Sequence, residues 1–461
     1  MLSLQNPLIN LIPMARMNWE RLINDKRFGL EDYHDPKKNL TRTDFRRDYD
    51  RLVFSSPFRR LQNKTQVFPL PGSIFVHNRL THSMEVSCVG KSMADNIAVA
   101  LKRRYTAQGA PAEHFDHLGD IVAAACLAHD LGNPPFGHSG EKAIGTYFSE
   151  GEGLKLKPMF TREQWADLIN FEGNANAFRL LTHQFNGRRR GGFAMTYSML
   201  ASIVKYPFES VISPKGKFGF FTTEKDDFRR VADELGMLRL SADGEPLRYA
   251  RHPLVYIVEA ADDICYEVMD LEDAHKLKIL STDEVTSLLL GFFDKDRREH
   301  MFDVMKSVDD PNEKIAYLRS CVVGALVEQC AQTFIDNEDA ILEGRFEGSL
   351  LSHIRPLEGD AYKACCKVSY EKIYRAGEVV DIELAGNRII TFLLERLVSA
   401  VLEPELHYSH LLLAKFPQQY DTQSPTQFGK IQAVLDHVSA MTDVYALDLY
   451  RKLNGMSLPA V

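Results

Sequence analysis

The chain has 461 residues, 45% hydrophobic and 26% charged, with 55 Lys and Arg against 63 Asp and Glu for a net charge of -8. This balance fits a globular protein with a core large enough for about two or three packed subregions, and it excludes a nucleic-acid coat protein that works by bulk positive charge. Any anion binding must come from local basic clusters. No apolar run is long enough to span a bilayer.

The seven cysteines form no Cys-x-x-Cys pair, and Cys365 and Cys366 are adjacent. An odd, scattered set in a long chain points to reduced thiols and a cytoplasmic location. The first stretch, MLSLQNPLINLIPMARMNWE, lacks the basic start and small-residue cleavage site of a signal peptide, and Met14 and Met17 leave a later start open.

Taken in order, most long segments read as helix. SMEVSCVGKSMADNIAVALKRRY (83–105), DIVAAACLAHD (120–130) and HPLVYIVEAADDICYEVMDLEDAHKL (252–277) carry apolar residues at three- and four-residue spacing. So do STDEVTSLLLGFF (281–293), with a capping Ser or Thr at its start, and GNRIITFLLERLVSAVL (386–402). KFGFFTTEKDD (217–227) is the candidate for a short β-hairpin. Breakers cluster at 68–73, 132–137, 186–192 and 241–246. The expected fold is all-α, with an N-terminal segment (1–50), a core (51–280) holding the clustered His and Asp, and a helical C-terminal region (281–461) packed on it.

Four side chains stand out: His82, His129, Asp130 and Asp262. Two imidazoles and two carboxylates suit a divalent ion such as Mn²⁺, Fe²⁺, Co²⁺ or, less well, Mg²⁺, and the absence of Cys argues against structural zinc. His129 and Asp130 end an apolar helix, where neighbours can turn toward one point. A lone His-Asp pair also arises by chance. Asp262, Tyr266 and Asp270 recur at four-residue spacing along one helix face, which is either a solvated face or one that needs buried partners. His138 and Glu141, three apart, suit proton transfer if a helix begins there; the alternative is a capping Ser139 with His138 packed in the loop.

Beyond these residues, long strings resemble one family. RRLQNKTQVFPL (59–70), NRLTHSMEV (78–86), AHDLGNPPFGHSGE (128–141), NFEGNANAFRLL (170–181), EAADDICYEVMDLEDA (259–274), VVDIELAGNRIITFLLE (379–395) and SAMTDVYALDLYRKL (439–453) are similar to deoxyguanosine triphosphate triphosphohydrolases, in the HD superfamily of metal-dependent phosphohydrolases. The resemblance implies hydrolysis of a dNTP, dGTP first, to a deoxynucleoside and inorganic triphosphate by water attack at the α-phosphorus. It implies that His82, His129, Asp130 and Asp262 hold the metal. His138 would be the catalytic His, with Glu141 its partner.

Arg79 would bind phosphate, with Lys205 a weaker candidate, and Asn174 and Glu172 would line the site. Gln66 and Asp270 would hold the 3′-hydroxyl, and Tyr266 would stack under the deoxyribose and exclude a 2′-hydroxyl. Asn133 stands where some relatives have a His; it can donate a hydrogen bond but cannot exchange a proton. The resemblance further implies a homo-oligomer, dimers assembled into tetramers or hexamers. The alternatives are another HD-type nucleotide phosphohydrolase, or a nucleotide or single-stranded nucleic-acid binder with a structural metal. The runs KRR (102–104) and GRRR (187–190) are the basic contacts for such a strand, which is also a candidate effector of the enzyme.

Overall fold

The computed structural model describes residues 15–33, 42–68 and 76–456. The start of the chain through Met14, and most of the 68–73 breaker, lie outside the described residues. The fold is all-α: among the described residues there is no sheet, only isolated β-bridges.

The elements that build the site are α1 (Asp44–Val53), α2 (Arg79–Ala107), α3 (Leu118–Ala128), α4 (Gly137–Ser149), α5 (Gly173–Thr182), α6 (Pro253–Lys276), α7 (Pro311–Asp336), α8 (Gly377–Leu402), α9 (Gln427–Ser439) and α10 (Asp443–Leu453). Local chemistry sets their starts. Asn78 caps α2 in a reciprocal box with Thr81, Pro253 and Pro311 stand in the first turns of α6 and α7, and Thr442 caps α10.

α3 is buried on nearly every side, so it reads as a continuous apolar run and lies at the centre of the core. It packs against α1, α2 and α6, and α7 closes the same body against α2 and α6. Val86, Val89, Met93, Ile97 and Leu101 form the apolar stripe that α2 turns inward. Fully burying side chains of this size is worth about 1.5–3 kcal/mol each. A second apolar cluster joins α4, α8 and α9 through Ile144, Phe148, Ile390, Leu394 and Val434. The 129–136 segment runs between the two bodies, linking α3 in the first to α4 in the second.

The hairpin expected over 217–227 does not form. Gly219 donates to the Phe208 carbonyl at 3.3 Å, Thr222–Glu224 is a 3₁₀ turn, and a helix begins at Lys225. Phe218, Phe220 and Phe221 are all buried, so the segment lacks the alternating exposure of a hairpin strand. Asp226 and Asp227 sit in the first turn of the helix that follows, where negative charge suits the helix dipole. Elsewhere the helices fall where periodicity places them, and the seven cysteines are free thiols. No described helix is long and apolar enough to cross a membrane.

Candidate active site

His82 sits in the first turn of α2, His129 and Asp130 at the end of α3, and Asp262 midway along α6. Three helices of one core therefore deliver four donors to one point. Ligand atoms of His82, His129 and Asp130 all lie within 4.8 Å of one another. Asp262 Oδ1 stands 3.0 Å from His82 Nε2 and 3.4 Å from His129 Nε2.

The His129 ring is oriented by its Nδ1, which donates to the Cys126 carbonyl at 2.6 Å. Its Nε2 is buried, makes no hydrogen bond, and faces the carboxylates of Asp130 and Asp262. A buried ring nitrogen left without a hydrogen bond and faced by carboxylates, on an imidazole fixed from behind, is the arrangement of a metal ligand. The electrostatics agree. Burial opposes charge on His129, but Asp130 and Asp262 outweigh it and push its pKa up to about 9. Burial would raise the Asp262 carboxyl, yet the imidazoles of His129 and His82 hold it well below the usual carboxylate range. The pocket favours positive charge, and the residues present fit a divalent cation.

Arg79, three residues before His82, is buried and donates to Asp130 Oδ2 at 2.6 Å. Its Nε has no partner. Gly137, at φ +57, comes so close that a Cβ there would stand 2.3 Å from Arg79 Nη2. A side chain at 137 would thus both strain the backbone and strike the guanidinium. Asn133 donates its amide to Asp130 Oδ1, the hydrogen-bonding role its chemistry allows.

His138 begins α4, with its side chain 65% exposed, and its Nδ1 lies 2.9 Å from Glu141 Oε2. Glu141 is buried, and its other oxygen accepts from the Gly173 amide at 2.8 Å. Burial opposes its charge, but the bond with His138 keeps the carboxyl below its ordinary value. Ser139 does not cap the helix: its hydroxyl donates to the Glu383 carbonyl of α8 at 3.0 Å. Lys217 was missed by sequence reasoning. Its ammonium reaches Glu172 at 2.6 Å and Glu141 at 3.5 Å, and Asn174 donates to Glu172 at 2.6 Å. A cavity of about 470 Å³ opens beside His138, Glu141, Glu172, Lys215 and Lys217.

On α6, Tyr266 meets His82 edge-on at 6.5 Å between ring centroids. Asp270, one turn further, accepts from the Tyr374 hydroxyl at 2.9 Å, a partner that sequence reasoning also missed. Burial raises the Asp270 carboxyl well above its ordinary value, offset only in part by that bond. Gln66 is half-buried, and its Oε1 accepts no hydrogen bond. Lys205 pairs with Glu259 at 3.1 Å, and although burial opposes its charge, Glu259, Asp263 and the donor Asp262 hold its pKa above the ordinary value.

Three members of the basic runs are engaged locally. Lys102 pairs with Asp116, Arg104 with Glu338, and Arg188 lies over the rings of Phe185 and Phe193.

Comparison with known proteins gives the family. Residues 79–206 match the HD domain, and residues 360–452 match the phosphohydrolase-associated domain. A deoxyguanosinetriphosphate triphosphohydrolase-like protein of Synechocystis sp. is 38% identical over 459 residues, covering 96% of this chain and 100% of that protein. One of Pseudomonas aeruginosa is 35% identical with the same coverage. The deoxyguanosinetriphosphate triphosphohydrolase of Yersinia enterocolitica is 31% identical over 95% of this chain and 99% of its own. Identity at this level along nearly the whole of each chain, together with His82, His129 and Asp130 inside the matched HD domain, means that the chain belongs to the deoxyguanosinetriphosphate triphosphohydrolase-like family of HD-domain phosphohydrolases.

Proposed function

We propose that this protein is a metal-dependent dNTP triphosphohydrolase, with dGTP its first substrate, that releases a deoxynucleoside and inorganic triphosphate. The observation that carries the reading is the meeting of His82, His129, Asp130 and Asp262 around the unpartnered His129 Nε2, in a chain that also sets the His138–Glu141 pair at the start of the next helix. Those four residues would hold a divalent ion, Mn²⁺ or Mg²⁺ with Co²⁺ and Fe²⁺ also admitted by the donor set, and such an ion supplies Lewis-acid polarisation of a phosphate oxygen and activation of water.

The chain's own residues do the rest. Arg79 offers a fork of donors to phosphate oxygens, Lys205 is a weaker phosphate contact, and Asn174 lines the site. His138, oriented by Glu141, gives its proton to the leaving 5′-oxygen as water displaces it at the α-phosphorus. Gln66 and Asp270 hold the 3′-hydroxyl, and the Tyr266 ring occupies the space that a 2′-hydroxyl would need. The enzyme works in the cytoplasm as a homo-oligomer built from dimers, with single-stranded nucleic acid a candidate effector.

The test is product analysis with each of the four dNTPs, singly and mixed, in Mn²⁺ and then Mg²⁺. Nucleoside and intact triphosphate are expected, with dGTP turned over fastest. Orthophosphate or pyrophosphate as first product would overturn the mechanism.

A further inference from the structure

Two of the sequence strings, 379–395 and 439–453, supply none of the side chains assigned above to metal, phosphate or sugar. Both meet the loop that leads to His138. Phe136 precedes α4 in the left-handed region, at φ +63, a conformation costly for a side chain with a Cβ. No side chain of its own caps the helix there. The Phe136 amide instead donates to Asp443 Oδ1 at 2.9 Å, from the first turn of α10. The Phe136 ring lies against α8 where Gly386 stands, so close that a Cβ at 386 would be 2.7 Å from Phe136 Cγ.

Asp443 is buried, and its other oxygen accepts from the Thr65 amide at 2.8 Å, next to Gln66. Beside it the Lys64 ammonium is buried and donates to the carbonyls of Asn133, at 2.5 Å, and Ser439, at 2.7 Å. One carboxylate thus spans two segments that carry proposed substrate-handling residues, and it satisfies a backbone amide in each.

Resting on the proposed function, we infer that Asp443 is a positioning residue for the reaction. It holds Phe136 in its left-handed conformation, so that α4 starts in the register that presents His138, and it ties that loop to the Gln66 segment. Both carboxylate oxygens accept, so an amide cannot replace it: one end of Asn would turn an N–H toward an N–H.

The experiment compares full-length wild type with Asp443→Ala and Asp443→Asn, each with His138 intact and with His138→Ala. With His138 present, kcat falls about 10- to 100-fold, the effect of small misplacement of a reacting group, while Mn²⁺ affinity stays at the wild-type value. With His138 removed, either change at 443 adds little further loss, because Asp443 acts through that side chain. An equal fold-loss in both backgrounds, or an unchanged kcat, would overturn the assignment.

Hydrogen exchange gives a second readout independent of turnover. The amides of Phe136 and Thr65 exchange faster in Asp443→Asn while α3 keeps its protection; faster exchange throughout the chain, or none at Phe136, would overturn it. A wild-type chain that leaves every dNTP intact would sink the proposed function, and the exchange rates would still decide what Asp443 holds.

Discussion

The Tyr374 hydroxyl donates to Asp270 at 2.9 Å, and the Tyr374 ring lies 5.8 Å from that of Tyr266 between centroids. The aromatic proposed to exclude ribose and the carboxylate proposed to hold the 3′-hydroxyl therefore share one partner. Shortening Tyr266 to Ala should relax the exclusion of ribonucleotides. Tyr374→Phe keeps the ring and removes a bond worth about 0.5–1.5 kcal/mol, so kcat/KM for dNTPs should fall about 2- to 10-fold. Paired kcat/KM values for dGTP and GTP check both; an unchanged ratio in Tyr266→Ala would count against the steric account.

Glu141 is committed on both oxygens, one to His138 and one to the Gly173 amide. Glu141→Gln preserves the shape but weakens both bonds and removes the charge facing His138. We expect kcat to drop about 10- to 100-fold, with little change in metal affinity, since such supporting partners typically carry effects of that size. Steady-state kinetics beside a Mn²⁺ titration separates this from damage to the metal site.

The four donors come from three helices of one core, so a bound ion should tie α2, α3 and α6 together. Adding Mn²⁺ to chelator-treated protein should raise the thermal midpoint, and saturation at about 100 times Kd corresponds to about 2.7 kcal/mol. His129→Ala and Asp262→Ala should abolish both this gain and turnover. A midpoint that ignores Mn²⁺ in the wild type would contradict the site.

His77 lies between Asp273, at 2.8 Å, and Glu85, at 3.1 Å. Burial opposes its charge, but the bonds to the two carboxylates raise its pKa to about 10. A folded pKa above the unfolded value near 6.5 gives stability that is fully present below about pH 6.5 and lost as pH rises toward about 10. His77→Gln should cost about 1.5–3 kcal/mol at pH 7, the range for charge-assisted bonds, and should flatten the decline across that alkaline window. Denaturation midpoints from pH 6 to 10 would show it.

What could be read from the chain alone followed from how local each signal is. Helices such as α2 and α6 announce themselves by spacing, and the His129–Asp130 pair by its place at a helix end. Asp262 lies 180 positions from His82, and residue type, with the resemblance, rather than any spacing grouped them. Lys217 was hidden in an aromatic run that looked like a strand, and Tyr374 sits 104 positions from the carboxylate it serves. Asp443 and Thr65 are 378 apart. No local pattern encodes such pairings, because tertiary packing creates them.

The grip of Asp443 and Gly386 on Phe136 also orders events in time. During synthesis, His82, His129, Asp130 and Asp262 all emerge in the first two-thirds of the chain. The residues that fix the approach to His138, Gly386 and Asp443, emerge more than a hundred positions after Asp262. A nascent chain can therefore bring its cation-pocket residues together before its loop is set, and the finished geometry waits for α10 to dock.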